Sequence, residues 1–254
     1  MTRTLLMVGL LITLAYVAFC ALLFVTQRSL IYLPQLVGNG GGQPHFLLPV
    51  EGATLQVTHR ALAGRNAVVY FGGNAENVAL NVNAFASTFP NHALYLLHYR
   101  SYGSSTGHPS QDALYADALV LMDHVKARHS NVVVIGRSLG SGVATYVASQ
   151  RAVQRLVLVT PYDSIAAVAY RRFPFVPIRW LMLDPYEAWR YAKYVTVPTR
   201  LIVAGNDEII PPRHAQSLLR HFPPGVATLT VIDGVGHNHI AQDPAYLGLL
   251  RTSR

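Results

Sequence analysis

Short apolar runs that alternate with helical stretches are the feature that most restricts the fold of this chain. Runs of Val, Ile and Leu without polar alternation are typical of strands buried on both faces of a parallel sheet. Amphipathic stretches between them predict helices on both sides of that sheet. We therefore expect an α/β fold with a mostly parallel, doubly wound sheet. Its predicted strands lie at 67–71, 93–99, 131–136, 155–160, 199–205 and 227–233.

The segments around these strands complete the expected order of elements. Residues 53–62 alternate polar and apolar side chains, which predicts an early antiparallel strand. Helices are predicted at 77–89, 111–128 and 139–150. Residues 161–198 are aromatic, punctuated by proline and too long for a simple crossover, so we interpret them as a small cap. An oversized crossover with an irregular start is the alternative.

The N-terminal apolar segment predicts a transmembrane helix. No charged residue lies between Arg3 and Arg28, and residues 4–26 are almost entirely apolar. At ~1.5 Å per helical residue, this stretch is long enough for a bilayer core of ~30 Å. A cleaved signal peptide is the alternative, but the run exceeds the usual ~7–15 residues and no small-residue cleavage site follows. Lipid attachment at Cys20 is disfavoured by the bulky Phe19 before it.

These patterns divide the chain into three parts. We expect a transmembrane anchor at 4–26, a glycine-rich linker at 27–45 and one globular domain at 46–254 that includes the cap. The amino terminus and Arg3 precede the apolar segment, and only Arg28 follows it closely. The positive-inside tendency therefore places the globular domain on the outer side of the cytoplasmic membrane, by a single charge.

Charge and cysteine content exclude several classes of function. The net charge of +8 comes mostly from scattered arginines, because Lys126 and Lys193 are the only lysines. No zinc-finger spacing or RNA-binding motif accompanies them, so we expect no nucleic acid partner, and attraction to anionic lipid explains the charge better. With Cys20 as the single cysteine, a thiolate metal cluster is excluded, and we expect neither a metal nor a cofactor.

A serine between two glycines follows the central predicted strand. In VVVIGRSLGSG, Ser138 occupies the turn between a strand and a helix. A turn this tight strains the serine backbone and leaves no room for neighbouring side chains, which explains Gly136 and Gly140. It also leaves the amide of Leu139 unpaired at a helix N-terminus, where it can stabilise an oxyanion. We expect Ser138 to be a nucleophile.

A serine nucleophile needs a base, and the base needs a carboxylate to orient it. His237 lies in a glycine-flanked loop after the last predicted strand and is the expected base, with His239 as its rival. Asp207 follows the strand at 199–205 and is the expected acid, with Glu208 as the second choice. The order Ser, Asp, His along the chain suits this sheet topology.

The loop after the strand at 67–71 predicts a second oxyanion donor. In VVYFGGNAENV, Gly72 and Gly73 allow the backbone to approach a substrate closely. We expect the amide of Asn74 to donate there, beside the amide of Leu139. The alternative is that the two glycines only make a turn.

Six motifs in register resemble those of a known family. They are YFGGNAENV, HYRSYGSSTGHPS, GRSLGSGVA, TPYDSI, GNDEIIPP and GVGHNHI. Together they resemble the alpha/beta-hydrolase superfamily, and within it the membrane-anchored serine hydrolases, which also resemble serine aminopeptidases. The resemblance covers about residue 28 to the C-terminus. It implies a Ser-Asp-His triad at the three positions named above and an oxyanion hole at Asn74 and Leu139.

The chain departs from the usual motifs of that branch at two places. It has Gly72-Gly73 where His-Gly usually precedes the asparagine, and RSYG at 100–103 where RGYG is usual. Neither departure touches the triad, whereas the first lies in the expected oxyanion loop.

Three functions compete for such a chain. The expected one is hydrolysis of a small or lipid-like acyl ester or thioester through an acyl-enzyme. A serine peptidase with the same triad would need acidic residues for a peptide amino terminus, and the cap offers only Asp163, Asp184 and Glu187. A membrane-tethered binding protein without activity is disfavoured by the complete set of motifs.

The cap also suggests where an acyl chain would bind. Eight large apolar side chains occur within 17 residues of it. Such a density above the carboxyl ends of the strands predicts an apolar acyl pocket, with packing of the cap onto the sheet or contact with the bilayer as alternatives. The eight are Phe173, Phe175, Trp180, Leu181, Met182, Leu183, Tyr186 and Trp189.

Overall fold

The computed structural model describes residues 2–34 and 42–251 of the chain. Within these residues, eight strands form one sheet. In chain order they are β1 (His45–Val50), β2 (Ala53–Arg60), β3 (Asn66–Phe71), β4 (Ala93–Leu97), β5 (Asn131–Arg137), β6 (Arg155–Val159), β7 (Thr199–Ala204) and β8 (Ala227–Ile232).

The sheet is mostly parallel, as the buried apolar runs predict. Its strand order is β1-β2-β4-β3-β5-β6-β7-β8. From β4 onward in this order all neighbours pair in parallel, whereas β1 and β2 add an antiparallel edge. Parallel pairing brings the carboxyl ends of β3, β5, β7 and β8 to one edge of the sheet. The loops that carry the predicted site residues start at that edge.

Helices cover both faces of the sheet. Helices α3, α4, α7 and α8 bury their apolar side chains in a core on one face, and α2 and α9 do so on the other. This is the doubly wound α/β arrangement expected from the sequence. The helices are α1 (Thr2–Ile31), α2 (Val82–Thr88), α3 (Gln111–Lys126), α4 (Leu139–Gln150), α5 (Ile165–Arg172), α6 (Ile178–Leu181), α7 (Ala188–Ala192), α8 (Pro212–Leu219) and α9 (Pro244–Arg251).

β1 is the strand that the sequence pattern did not predict. Its sequence HFLLPV lacks polar alternation and contains Pro49, which argues against a strand inside a sheet. The strand lies at the edge, where proline is tolerated because no further strand needs its missing amide. The predicted helix at 77–89 also differs, because it begins with a 3₁₀ turn at Val78–Asn81 before α2.

α1 is longer than the predicted anchor. It continues past residue 26 to Ile31, so the first residues assigned to the linker are helical. Residues 35–41 of that linker lie outside the described residues. Within the described part of the chain, α1 alone is long and apolar enough to cross a membrane, a length and composition that a signal sequence shares.

The predicted cap segment forms three short helices between β6 and β7. α5 begins where the Ser164 side chain accepts a hydrogen bond from the amide of Ala167, which caps the helix. Prolines at 174, 177 and 185 lie in the connections, where they prevent a longer helix. The segment is therefore a series of turns and short helices rather than a single crossover helix.

The middle and the end of α1 are hydrogen-bonded to this cap. The Tyr16 hydroxyl donates to the carbonyl oxygen of Phe175 at 2.7 Å. The Gln27 side chain donates to the Leu181 carbonyl at 3.1 Å and accepts from the Leu183 amide at 2.7 Å. α1 is therefore docked along the cap and does not extend freely from the domain.

Charged and aromatic contacts fasten the last turn of α1. Arg28 Nε lies 2.9 Å from a carboxylate oxygen of the buried Asp184, whose other oxygen accepts from the Gln111 amide at the start of α3. The hydroxyls of Tyr32 and Tyr186 are 2.8 Å apart and buried. Burial raises the pKa of Tyr186 well above its usual value, so this hydroxyl stays neutral.

Candidate active site

Ser138 sits in a strained turn between β5 and α4. Its backbone has φ 50° and ψ −118°, a conformation that residues with a Cβ rarely adopt. A Cβ at Gly136 would meet the carbonyl oxygen of Gly140, and a Cβ at Gly140 would meet that of Phe71. The two glycines let α4 start directly against the sheet, and the turn presents the serine at the sheet edge.

The structure joins the serine, the histidine and the aspartate in one chain of hydrogen bonds. His237 Nε2 lies 2.9 Å from Ser138 Oγ, and His237 Nδ1 lies 2.7 Å from Asp207 Oδ2. All three side chains are buried. A carboxylate only accepts hydrogen bonds, so Nδ1 carries the imidazole proton and Nε2 is left to accept from the serine hydroxyl.

The backbone around Asp207 holds its carboxylate in place. Oδ1 accepts hydrogen bonds from the amides of Ile209 and Ile210, at 3.0 and 2.7 Å, while Oδ2 contacts the histidine. Both oxygens are therefore engaged in a fixed geometry. The two rival residues, Glu208 and His239, are exposed at the surface.

Both predicted oxyanion donors line the cavity beside Ser138. Leu139 begins α4, so its amide has no partner within the helix. The amide of Gly73 donates to a carboxylate oxygen of Glu76 at 2.7 Å, which excludes it as a donor to substrate and leaves the next amide, of Asn74. Within residues 2–34 and 42–251, neither the Asn74 nor the Leu139 amide has a hydrogen-bond partner.

The segment after α1 supports the Asn74 loop. The side-chain amide of Asn74 donates to the Ile31 carbonyl at 3.0 Å. The backbone carbonyl of Asn74 accepts from the Leu33 amide at 3.2 Å. The Tyr102 hydroxyl donates to the same Asn74 carbonyl at 2.6 Å. The end of the N-terminal helix is therefore part of the scaffold that orients the candidate oxyanion loop.

Two charged residues of the site escaped the sequence analysis. Arg137 lies 3.3 Å from the Glu76 carboxylate, which also accepts from the Tyr70 hydroxyl at 2.6 Å and from Asn81 at 2.7 Å. Burial, with the neighbouring Glu76 charge, raises the pKa of Tyr70 well above its usual value. In the sequence, only the position of Arg137 directly before Ser138 indicated that a charged residue lies at the site.

The cavity at Ser138 has a volume of about 610 Å³ and is lined partly by apolar residues. Some of those residues come from the end of α1 and from α5, Ile209 and Ile210 come from the loop after β7, and none of the eight large cap residues expected in an acyl pocket is among them. Phe175 and Trp180 are instead 86% and 88% exposed. At Ser138 the smaller Ile165 and Val168 of α5 line the cavity, whereas Phe173, Leu181 and Met182 of the expected eight line a separate apolar cavity between α1 and the cap.

No metal site accompanies these residues. Across residues 2–34 and 42–251, no group of three His, Cys, Asp or Glu side chains is arranged to hold an ion. The buried charges near Ser138 are instead paired with one another, as the Arg137 and Glu76 contact shows.

Comparison with known proteins identifies a family and several relatives. A protein-family model described as "Serine hydrolase" matches residues 110–246. The alpha/beta hydrolase domain-containing protein aho-3 of Caenorhabditis elegans is 32% identical over 158 residues, which are 61% of this chain and 46% of that protein. The lysophosphatidylserine lipase ABHD12 of Xenopus tropicalis is 35% identical over 136 residues, which are 44% of this chain and 34% of that protein. The chain thus spans about half the length of these relatives, or less.

Solved structures agree on the fold. The monoacylglycerol lipase of Paleococcus ferrophilus has a TM-score of 0.62 at 17% identity, over 79% of this chain and 99% of that one. Identity this low shows the architecture alone. The family model covers more than half of the 254 residues and the fold agrees. The chain therefore belongs to the serine hydrolases of the alpha/beta-hydrolase superfamily.

Proposed function

We propose that this protein is a membrane-anchored hydrolase of acyl esters or thioesters in which Ser138 is the nucleophile. The observation that carries the proposal is the buried chain of hydrogen bonds from Ser138 through His237 to Asp207 beside a cavity. A serine hydroxyl is a weak nucleophile until an oriented base takes its proton, and this arrangement supplies both base and orientation.

The first half of the reaction forms an acyl-enzyme. Ser138 Oγ attacks the carbonyl carbon as its proton passes to His237 Nε2, and Asp207 stabilises the resulting imidazolium. The carbonyl electron pair moves onto oxygen, where the amides of Leu139 and Asn74 donate to it. Collapse of this intermediate breaks the bond to the leaving alcohol or thiol, which takes the proton from His237.

The second half releases the acid. A water molecule gives a proton to His237 Nε2 and attacks the acyl carbonyl through the same oxyanion intermediate. The bond to Ser138 Oγ then breaks, and the serine regains its proton from the histidine. The triad returns to its starting state, and the products are a carboxylic acid and an alcohol or thiol.

The cap carboxylates favour an acyl substrate over a peptide. Asp163 lies 2.8 Å from His214, Asp184 lies 2.9 Å from Arg28, and Glu187 lies 2.7 Å from Arg190. None of these three acids lines the Ser138 cavity. A peptide amino terminus would therefore find no unpaired cap carboxylate there, which leaves the peptidase as the weaker alternative.

One similar protein supports the same choice. The Xenopus relative is a lysophosphatidylserine lipase, a name that describes cleavage of an acyl ester. The apolar wall formed by Ile165 and Val168 suits such a substrate in this chain as well.

α1 provides the membrane anchor in this proposal. In this proposal the chain consists of a transmembrane helix, a linker and a catalytic domain, and the cap of that domain spans about 161–198. The catalytic domain lies on the outer side of the cytoplasmic membrane, because the positive charge before the apolar run exceeds that just after it.

The proposal is tested on the full chain in detergent or vesicles with a fluorophosphonate probe and a panel of substrates. We expect covalent labelling at Ser138 and hydrolysis of p-nitrophenyl esters and acyl thioesters in preference to aminoacyl amides. Absence of labelling would favour a non-catalytic protein. Faster cleavage of amides with a free amino terminus would favour the peptidase.

A further inference from the structure

A second cavity lies between the N-terminal helix and the cap. It measures about 240 Å³, and its walls are almost wholly apolar. Leu23, Phe24 and Leu30 of α1 form one wall, and Ala169 and Phe173 of the α5 region face them, with Met182 beyond α6. We call this space the anchor cleft.

The anchor cleft adjoins the cavity at Ser138. Leu30 and Ile31 of α1 line both spaces, and so do Ile165 and Val168 of α5. The shared residues are apolar, and the Ser138 cavity is lined in addition by the charged pair Glu76 and Arg137. A substrate carbonyl at Ser138 therefore lies near both apolar residues and paired charges.

The position of the cap along α1 places part of the cap within the bilayer and the cleft at its outer boundary, because the cleft residues of α1 begin at Leu23, about 32 Å from Thr2 at ~1.5 Å per residue. Tyr16 is the first residue of α1 that hydrogen-bonds outside the helix, among the residues that the structure describes. The helical residues before it, from Thr2 to Ala15, span only about 21 Å at ~1.5 Å per residue, less than the ~30 Å of a bilayer core. If α1 crosses the membrane, the cap beside its second half enters the leaflet by about 10 Å.

The exposed side chains of the cap fit that depth. Phe175 and Trp180 are almost fully exposed; the first lies at Tyr16 and the second directly before Leu181, which hydrogen-bonds to Gln27. Arg171, Arg172 and Arg179 are exposed beside them. Aromatic groups with nearby arginines are typical of segments that lie about 5–10 Å deep at a membrane interface, because the long basic side chains reach back to the head groups.

We propose that the anchor cleft binds the acyl chain of a membrane-resident acyl ester, which reaches Ser138 sideways from the bilayer. This inference rests on the proposed function and assigns its substrate class. The chain lies between α1 and α5, the carbonyl reaches Ser138 past Ile31 and Val168, and the remainder of the substrate faces Glu76 and Arg137. The transmembrane helix is thus one wall of the substrate site as well as an anchor.

Two pairs of variants distinguish the effect of filling the cleft from the effect of adding the same side chain nearby. Ala169→Phe fills the cleft from α5, and Ala167→Phe adds the same ring on another side of that helix, outside the cleft. Leu23→Trp fills it from α1, and Leu22→Trp alters an exposed neighbour that does not line it. If Ala169→Phe does not fold, the Leu23→Trp and Leu22→Trp pair still tests the cleft.

The binding measurement does not depend on catalysis. The full chain carrying Ser138→Ala is placed in phosphatidylcholine vesicles that contain a diazirine-labelled palmitic acid, and crosslinks are mapped after irradiation. We expect crosslinks at Leu23, Phe173 and Met182, reduced about tenfold by either cleft-filling variant and unchanged by the two controls. Crosslinks confined to Phe175 and Trp180, or unaffected by the cleft-filling variants, would overturn the proposal.

The activity measurement uses the ratio of kcat/KM for p-nitrophenyl decanoate to that for the butyrate. Each buried methylene contributes ~0.8 kcal/mol, or about fourfold, so loss of two methylene contacts lowers the ratio at least about tenfold in the cleft-filling variants. An unchanged ratio in an active enzyme would reject the cleft. Cleft crosslinks in a protein that hydrolyses no ester would instead reject the proposed function and leave the acyl site standing.

Discussion

At the scale of single residues, the fold separates neighbours that look alike in the sequence. Asp207 is buried with both carboxylate oxygens engaged, whereas Glu208 is exposed. His237 is buried between Ser138 and Asp207, whereas His239 is exposed two residues later. Only the side chain that faces the site is buried in each of these two loops. The exposed residue of each pair, Glu208 or His239, is therefore a matched control for its buried neighbour.

Substitution within these pairs tests the proposed triad. We expect Ser138→Ala and His237→Ala to lower kcat for an activated ester by ~10⁴–10⁶-fold, and Asp207→Asn to cost less because the imidazole remains. His239→Ala and Glu208→Gln should keep activity near that of the native enzyme. Steady-state kinetics with p-nitrophenyl butyrate measure this. A severe loss of kcat in the His239→Ala or Glu208→Gln variant would assign the role of base or acid to that residue instead of to His237 or Asp207.

At the scale of elements, α1 and the cap act as one unit. The contacts from Tyr16 to Tyr32 connect the helix to residues spread over the cap, including Phe175 and Asp184. Hydrogen bonds along this length fix the tilt of the helix against α5. The same contacts place the exposed aromatic face of the cap beside the apolar surface of α1, so the depth of one in a bilayer sets the depth of the other.

Tryptophan fluorescence tests that depth. The chain has two tryptophans, the exposed Trp180 and the partly buried Trp189, whose ring lies under Arg190 and is tilted against the ring of His221. In vesicles of brominated phosphatidylcholine, we expect the Trp189→Phe variant, which retains Trp180, to be strongly quenched because bromine lies in the acyl region. The Trp180→Phe variant should be quenched much less. Equal, weak quenching in both variants would place the cap in water.

At the scale of the whole molecule, α1 packs into the globular domain in addition to its proposed role as an anchor. Ile31 and Tyr32, at its end, are buried in the core that covers one face of the sheet. The Ile31 carbonyl also holds the Asn74 side chain beside the candidate oxyanion amide. A chain whose first helix ended elsewhere would lose these contacts, so we interpret the end of α1 as part of the fold of the globular domain.

Fusion reporters test the proposed orientation. The C-terminal end is the suitable site, because β1 begins at His45 and a fusion there would disrupt the sheet edge. We expect a C-terminal alkaline phosphatase fusion, active only outside the cytoplasm, to be active, and the protein to stay in membranes washed with alkaline carbonate. Activity of a cytoplasm-dependent reporter alone would reverse the orientation, whereas release by carbonate would argue against the anchor.

The sequence by itself determined the sheet and the chemistry of its edge. Burial on both faces requires unbroken apolar runs, and this local requirement identifies β3 to β7, whereas β8 is a partly exposed edge strand with the sequence ATLTVI. The turn at Ser138 leaves no room for a side chain two residues before or after the serine. Gly136 and Gly140 therefore indicate this turn from the local sequence. The loops at 207 and 237 follow their strands directly, and parallel pairing brings them to the same edge without further information.

Only the tertiary structure decided what those loops face. The edge strand β1, the docking of α1 and the pairing of Glu76 with Arg137 depend on surfaces that meet across many residues of sequence. The large aromatic groups of the cap were expected inside the site, yet the side of α5 that packs against α1 carries Ile165 and Val168 there. Hydrophobicity in the sequence records that a side chain avoids water, and it does not distinguish a pocket, a core and a bilayer.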